Sequence, residues 1–288
     1  MKQDKDVFAL RGNLLYTSSP EKLVSLPGHY LVCENGKVAG LFSELPERFA
    51  GIRVQDCGDA LIIPGFVDLH MHAPQYAVRG LGMDGQLLKW LDSLVFPEEA
   101  RYVNLAYAEK AYRIFAEDLK KSSITRACIF GTIHADATLL LMQLLEETGM
   151  VAAVGKVNMD MNCPDYYGES TIGSIGETEH WIIDSQERFS SVFPILTPRF
   201  ALVCSPELMA KLADLQQKYA LPLQSHLSEN RAEGQWVQSL FPESRFYADV
   251  YDRYGIFGSH GPTVMAHCVY SSPDEVALMK ERGVFIAH

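Results

Sequence analysis

The sequence predicts an α/β protein: a (β/α)8 TIM-type barrel, incomplete after its seventh strand, preceded by a small β-sandwich-like domain. Three observations carry this expectation. From Leu61 onward, short apolar runs alternate with longer helical stretches, the signature of a parallel sheet. Before Leu61 the short runs follow one another with only turns between them. A chain of 288 residues is long enough for one large barrel of this kind.

The elements follow in order. Residues 1–62 carry VFALRGNLLYT, HYLVCENGKVAGLFS and IRVQDC, with Asn35-Gly36 between two apolar runs as a strong hairpin signal. Residues 63–288 make up the expected barrel. Its strands lie at LIIPGFVDLHMH, RACIFG, VAAVGKV, PILTPRFALVC, LPLQSHL, TVMAHC and VFIAH. Between them run segments of helical period such as EEARYVNLAYAEKAYRIFAEDLKK and SPELMAKLADLQQKYA. The second opens on Ser205-Pro206-Glu207, a residue order suited to a helix N-terminus.

Composition excludes several classes. A net charge of −11 with no basic stretch disfavours phosphate backbones and anionic membranes. Lys120-Lys121, the longest cationic cluster, reads as a solvated helix end. No apolar run reaches transmembrane length, and MKQDKDVFAL lacks the apolar core of a signal peptide. The six cysteines contain no Cys-x-x-Cys pair, which suits reduced thiols in a cytoplasmic protein.

The histidines carry the chemistry. In PGFVDLHMHAPQYA, His70 and His72 are one residue apart, so a strand sends both to one face. An isolated His-x-His pair more often reflects two satisfied core side chains. Here His226 ends the fifth run, His267 the sixth and His288 the seventh, so four of seven strands end in histidine. Barrel active sites form at that face, and the metal reading then prevails. Zinc suits a set of imidazoles with no thiolates nearby. His70, His72 and His226 are expected as ligands. His267 is either a further ligand or a neutral group holding the water, and His288 is expected to support the site. His29, His180 and His260 fall in loops or on helix surfaces, and His134 follows the second strand without evidence of a role. Glu229, three residues after His226, either opens the next helix, where acids are favoured, or shuttles a proton. Zinc lowers a water pKa from ~16 to about 7, and a nearby carboxylate can move the released proton.

The motifs PGFVDLHMHAPQYA, LLKWLDSLVFPEEAR, GKVNMDMNCPDY, TPRFALVCS, QSHLSEN and MAHC run in one order across nearly all of the chain after Leu61. In them the chain resembles the guanine deaminases of the zinc-dependent amidohydrolase superfamily. His-x-His alone indicates the superfamily, and WLDSLVFPEE and TPRFALVCS narrow it. The resemblance implies hydrolysis of guanine to xanthine and ammonia, with about one zinc per chain held by His70, His72 and His226. It makes Glu229 the proton shuttle and His267 the group that orients the attacking hydroxide. Gln75 hydrogen-bonds the purine, Arg199 binds its carbonyl oxygen and Phe200 packs on the ring. Arginine suits that task because its planar fork matches O6 and N7 of a guanine. Leu87, Leu88, Trp90 and Leu91 read as core and pocket wall.

Alternatives of the same class are a zinc amidohydrolase acting on another purine, a pterin or a triazine. Lys156 on the third strand leaves a second metal open. The resemblance also implies a homodimer when complete. It implies a further Cys-Pro-x-Ser-Asn turn, an eighth strand with a zinc-binding aspartate, and strands completing the small β domain. The sequence stops at His288 before these. Asp160 lies in a loop beyond the third strand, and Asp68 leaves the face of His70 and His72 only if strand alternation breaks. The 288 residues alone are therefore expected to be poorly soluble or partner-dependent and nearly inactive. A non-catalytic metal-binding fragment is the alternative from another class.

Overall fold

The computed structural model describes residues 7–82 and 84–288. The chain divides into two compact units, Met1–Gly65 and Phe66–His288. The first is one four-stranded sheet among the described residues, not two facing layers. Its strands are β1 (Val7–Ser19), β2 (Lys22–Glu34), β3 (Lys37–Phe42) and β4 (Arg53–Ile62), in spatial order β3-β2-β1-β4. β1 pairs antiparallel with β2 and parallel with β4. The β2–β3 turn takes the two positive φ values that Asn35 (53°) and Gly36 (74°) supply, as the hairpin signal predicts. Ala9, Val32 and Phe49 form its small core.

The second unit alternates strands and helices. Its strands are β5 (Phe66–His72), β6 (Ile124–Phe130), β7 (Val151–Gly155), β8 (Val157–Asn158) and β9 (Val192–Pro194). β10 (Thr197–Pro198), β11 (Leu223–Leu227), β12 (Thr263–His267) and β13 (Phe285–Ala287) follow. The order β5-β6-β7-β9 forms one parallel sheet and β11-β12-β13 another, while β10 pairs with β8. A parallel bridge between Leu196 and Leu223 links the two larger groups.

The expected third and fourth strands are each broken. PILTPRFALVC was predicted as one run. Pro194 and Pro198 have no N–H to give to a ladder, and Ala201–Val203 turns as a short 3-10 helix instead. The break in the third strand falls at Lys156, beside Gly155. A Cβ on Gly155 would meet Thr197 Oγ1 at 1.7 Å, so only glycine lets these strands approach.

The helices are α1 (Leu87–Trp90), α2 (Phe96–Ala100), α3 (Leu105–Lys121), α4 (Ala135–Glu146), α5 (Thr171–Arg188), α6 (Pro206–Tyr219), α7 (Arg231–Leu240), α8 (Tyr247–Arg253) and α9 (Pro273–Arg282). None of the described helices is long and apolar enough to cross a membrane. In α3 the buried set Ala108, Tyr112, Phe115, Ala116 and Leu119 follows the helical period, and the Asn104 side chain caps Ala106 N and Tyr107 N. α6 starts as its sequence predicts, with Ser205 Oγ accepting from Leu208 N at 3.1 Å and Pro206 in the first turn. β11 is buried at all five residues, as a strand covered on both faces must be. Its polar members are satisfied except at Gln224 Oε1, which has no partner among the described residues. Gln224 Nε2 donates to Ile129 O and Thr197 Oγ1, and Ser225 Oγ donates to Pro198 O.

The C-terminal end of α4 is tied to β9 by one carboxylate. Glu146 accepts from the backbone N–H groups of Ser190, Ser191 and Val192 and from both serine hydroxyls, at 2.7 to 3.3 Å. Its partial burial would raise its pKa, but these hydrogen bonds reverse that and hold it at about 2. A depressed folded-state pKa stabilises above the unfolded value of 4.5, and the contribution disappears as pH falls toward about 2. Glu146→Ala should therefore cost about 1–2 kcal/mol at pH 7. The wild-type advantage in Tm over this variant should shrink between pH 4.5 and 2. An advantage that stays constant across that window would show that the charge plays no part.

Candidate active site

β5, β11 and β12 run parallel within their sheets, and their carboxyl ends bring His70, His72, His226 and His267 together. The rings of His70 and His72 are 5.0 Å apart, and His70 lies 4.9 Å from both His226 and His267. One nitrogen from each of His70, His226 and His267 lies within 4.8 Å of the others. His72 joins the set through His226, with their Nε2 atoms 3.0 Å apart. The pair on β5 is not delivered by simple alternation. The β5–β6 register shifts between Asp68 and Met71, leaving one extra residue in β5, and Asp68 Oδ1 accepts from His70 N across it.

Burial pushes all four imidazoles toward the neutral form. His70 is lowered to about 3 by burial, reinforced by His267 and Arg199. His72 and His226 fall well below the usual value for the same first reason, with their neighbouring histidines adding to it. His267 is lowered by burial and by His288. The His226 tautomer follows from one contact. Nδ1 lies 2.5 Å from the carbonyl oxygen of Arg199, so it carries the proton and Nε2 presents a lone pair. The buried Nδ1 atoms of His70 and His72 have no partner among the described residues. Neutral nitrogens facing one another with unmatched lone pairs are the donor set a divalent cation requires, and nitrogen-only ligation suits zinc.

Glu229 follows β11 through Ser228, whose φ of 49° turns the chain at the strand end. Its carboxyl is raised to about 7 by burial and by the nearby Glu233, against the pull of Arg199. Glu229 Oε2 lies 3.4 Å from His267 Nε2. His267 has φ 74° and Cys268 φ 53°, left-handed values that non-glycine residues hold only under constraint. His288 Nδ1 contacts His267 O at 2.9 Å, beside the cluster and not within it.

These groups open into one cavity of about 150 Å³, lined by the four histidines, Glu229, Gln75, Arg199, Phe200, Leu87, Trp90 and Leu91. Every residue expected to bind metal or purine or to move a proton lines this cavity, and His288, expected to support the site, lies outside it. Leu88 lies outside it too. Leu91–Val95 forms a π-helical turn between α1 and α2, an irregularity that pattern reading passed over. Arg199 is 2% exposed, and its guanidinium does not face the cavity with its fork as expected. Nη1 and Nη2 bind Glu99 Oε2 and Oε1 at 2.5 and 3.1 Å. Burial alone would ease the Arg199 proton off, but the Glu99 charge holds it on. The outer N–H groups remain for a ligand.

The other candidates lie elsewhere. Lys156 Nζ is committed to Glu169 at 2.6 Å and to Val157 O. Asp160 accepts from Ser205 and Thr171, joining loops. His134 packs 5.9 Å from the Tyr167 ring, and His180 and His260 are exposed. Glu99 and Tyr167 belong to the Arg199 network although no spacing in the sequence marks them; Glu99 lies inside the WLDSLVFPEE stretch.

The pattern of the amidohydrolase family matches residues 61–288. A guanine deaminase of Rattus norvegicus is 43% identical over 229 residues, covering 78% of this chain and 50% of that protein. The guanine deaminase of Dictyostelium discoideum is 34% identical over 306 residues, covering all of this chain and 68% of that protein. The chain thus spans about half to two thirds of these relatives. The crystal structure of a guanine deaminase from C. acetobutylicum with guanine in its active site superposes with a TM-score of 0.95 at 45% identity, over 98% of this chain and 67% of that one. With its histidine-lined cavity at the strand ends, the chain belongs to the amidohydrolase family, among the proteins named guanine deaminases.

Proposed function

We propose that this chain carries the active site of a zinc-dependent guanine deaminase, which replaces the exocyclic amino group of guanine with oxygen from water to give xanthine and ammonia. One observation carries the reading. A single cavity holds neutral imidazoles and a proton-holding carboxylate together with Gln75, Arg199 and Phe200. The likeness to a relative solved with guanine supports the substrate. The parallel order from β5 to β13 supports seven strands of a (β/α)8 barrel. Six free cysteines suit a cytoplasmic setting.

His70, His72 and His226 would hold the zinc. When bound, it would supply Lewis acidity, lowering the pKa of a water and stabilising negative charge on the attacking oxygen. Glu229, poised at about 7, takes the proton from that water and delivers it to the departing amine. His267, beside Glu229, orients the water. The indicated purine contacts are Arg199 to the carbonyl oxygen, Gln75 to a polar ring atom and Phe200 to the ring face. Phe200 is 5% exposed and keeps the site dry, which strengthens each of these hydrogen bonds.

Ammonia release from a purine panel by protein of the relatives' full length, with metal analysis alongside, tests the reading. The protein should carry about one zinc per chain, and His72→Ala should remove most of it. Undiminished zinc in that variant would overturn the ligand assignment. Guanine should be preferred over adenine by roughly 10⁴ in kcat/KM, because adenine leaves the polar groups unmatched. Equal rates on the two purines would sink the substrate assignment. Glu229→Gln should lower kcat by about 10²- to 10⁴-fold with zinc content unchanged. A loss under threefold would remove Glu229 from proton transfer.

A further inference from the structure

Glu99 is 0% exposed, yet it is a carboxylate with four donors converging on its two oxygens. Arg199 supplies two, at 2.5 and 3.1 Å. Gln75 Nε2 supplies a third at 3.0 Å, and the Tyr167 hydroxyl a fourth at 2.9 Å. A buried carboxylate is tolerated only with such partners. Two of them are the purine-facing residues proposed above.

We infer that Glu99 is a positioning residue that sets the hydrogen-bonding polarity of the purine site, an inference that rests on the guanine reading. A carboxylate only accepts, so it takes the Gln75 NH₂ group and leaves Gln75 Oε1 as the amide atom available to a ligand. It also takes the end-on edge of Arg199, leaving outer N–H donors. Phe96, on the same helix α2, lies 5.0 Å from the guanidinium carbon and braces its face. The cavity therefore offers one acceptor from Gln75 and donors from Arg199. Guanine presents the complement, a carbonyl acceptor at O6 beside an N1–H donor. Adenine presents the reverse, an amino donor beside an N1 acceptor. Without a carboxylate at position 99 the Gln75 amide is free to flip, and the distinction weakens.

The neighbouring Glu98 does not share this task. It binds Arg101 at 2.8 Å and the Tyr107 hydroxyl, away from the cavity lining. α2 thus sends one acid to its own flank and one behind Gln75 and Arg199, where it holds two residues of the lining.

The test is steady-state kinetics of the native protein and two variants on guanine and adenine, with zinc content measured. Glu99→Gln should raise KM for guanine at least about 10-fold, keep kcat within about threefold and leave zinc unchanged. The guanine-over-adenine ratio in kcat/KM should fall at least about 10-fold. A merely structural role would lower the active fraction, and hence kcat, without moving KM or the ratio. Tyr167→Phe removes one donor and keeps both charges. It decides the matter if Glu99→Gln does not fold, with a rise in KM of about threefold or more expected. Unchanged KM and ratio in folded Glu99→Gln, or an unchanged KM in Tyr167→Phe when the first variant fails to fold, would overturn the inference. Unsubstituted protein of the relatives' full length that releases no ammonia from guanine would overturn the functional reading itself, and the inference with it.

Discussion

The hydrogen bond from His226 Nδ1 to the carbonyl oxygen of Arg199 joins the two halves of the cavity. On one side it fixes the imidazole tautomer, so that Nε2 turns a lone pair toward the other histidines. On the other it anchors the backbone of Arg199, the residue proposed to bind the purine carbonyl. The strand-to-strand bond from His226 N to the same oxygen runs beside it at 3.4 Å. A displacement of β11 relative to the segment after β10 would disturb metal donor and arginine together.

Around that bond the site is electrically quiet for so polar a place. Burial keeps the imidazoles neutral, Arg199 and Glu99 cancel, and Glu229 holds or releases its proton near neutrality. A cavity of this kind suits an uncharged heterocycle. A metal held by the imidazoles would bring the cavity its one large electrostatic asymmetry.

Much of this was readable from residue order, because parallel strands place their carboxyl ends together. A histidine closing an apolar run is then a positional statement, and His70, His72, His226 and His267 all met where such reasoning sends them. Glu99 was not readable in the same way. Its partners Gln75, Tyr167 and Arg199 are 24, 68 and 100 residues away, and no local period links them. FPEEA alone reads as an acidic first turn of a helix. The broken third strand escaped for a related reason, whereas the break in the fourth is local to Pro194 and Pro198. The demand for glycine at position 155 comes from Thr197 on another strand, not from its own neighbours.

The extra residue in β5 has a consequence for how far that strand can slide along β6. In an unbroken strand of the same length, Asp68 would share a face with His70 and His72. The register shift sets Asp68 and Met71 opposite Ala127 and Ile129, on one face, and His72 opposite Phe130, on the other, and Asp68 does not line the cavity. Sliding the first part of β5 by one residue would close the bulge with no residue lost and swing a carboxylate toward the imidazoles, changing the ligand chemistry without altering a single histidine. Deleting Leu69 would also even the ladder, yet it would leave Asp68 off that face. What the bulge protects is the register of the strand, not its residue count.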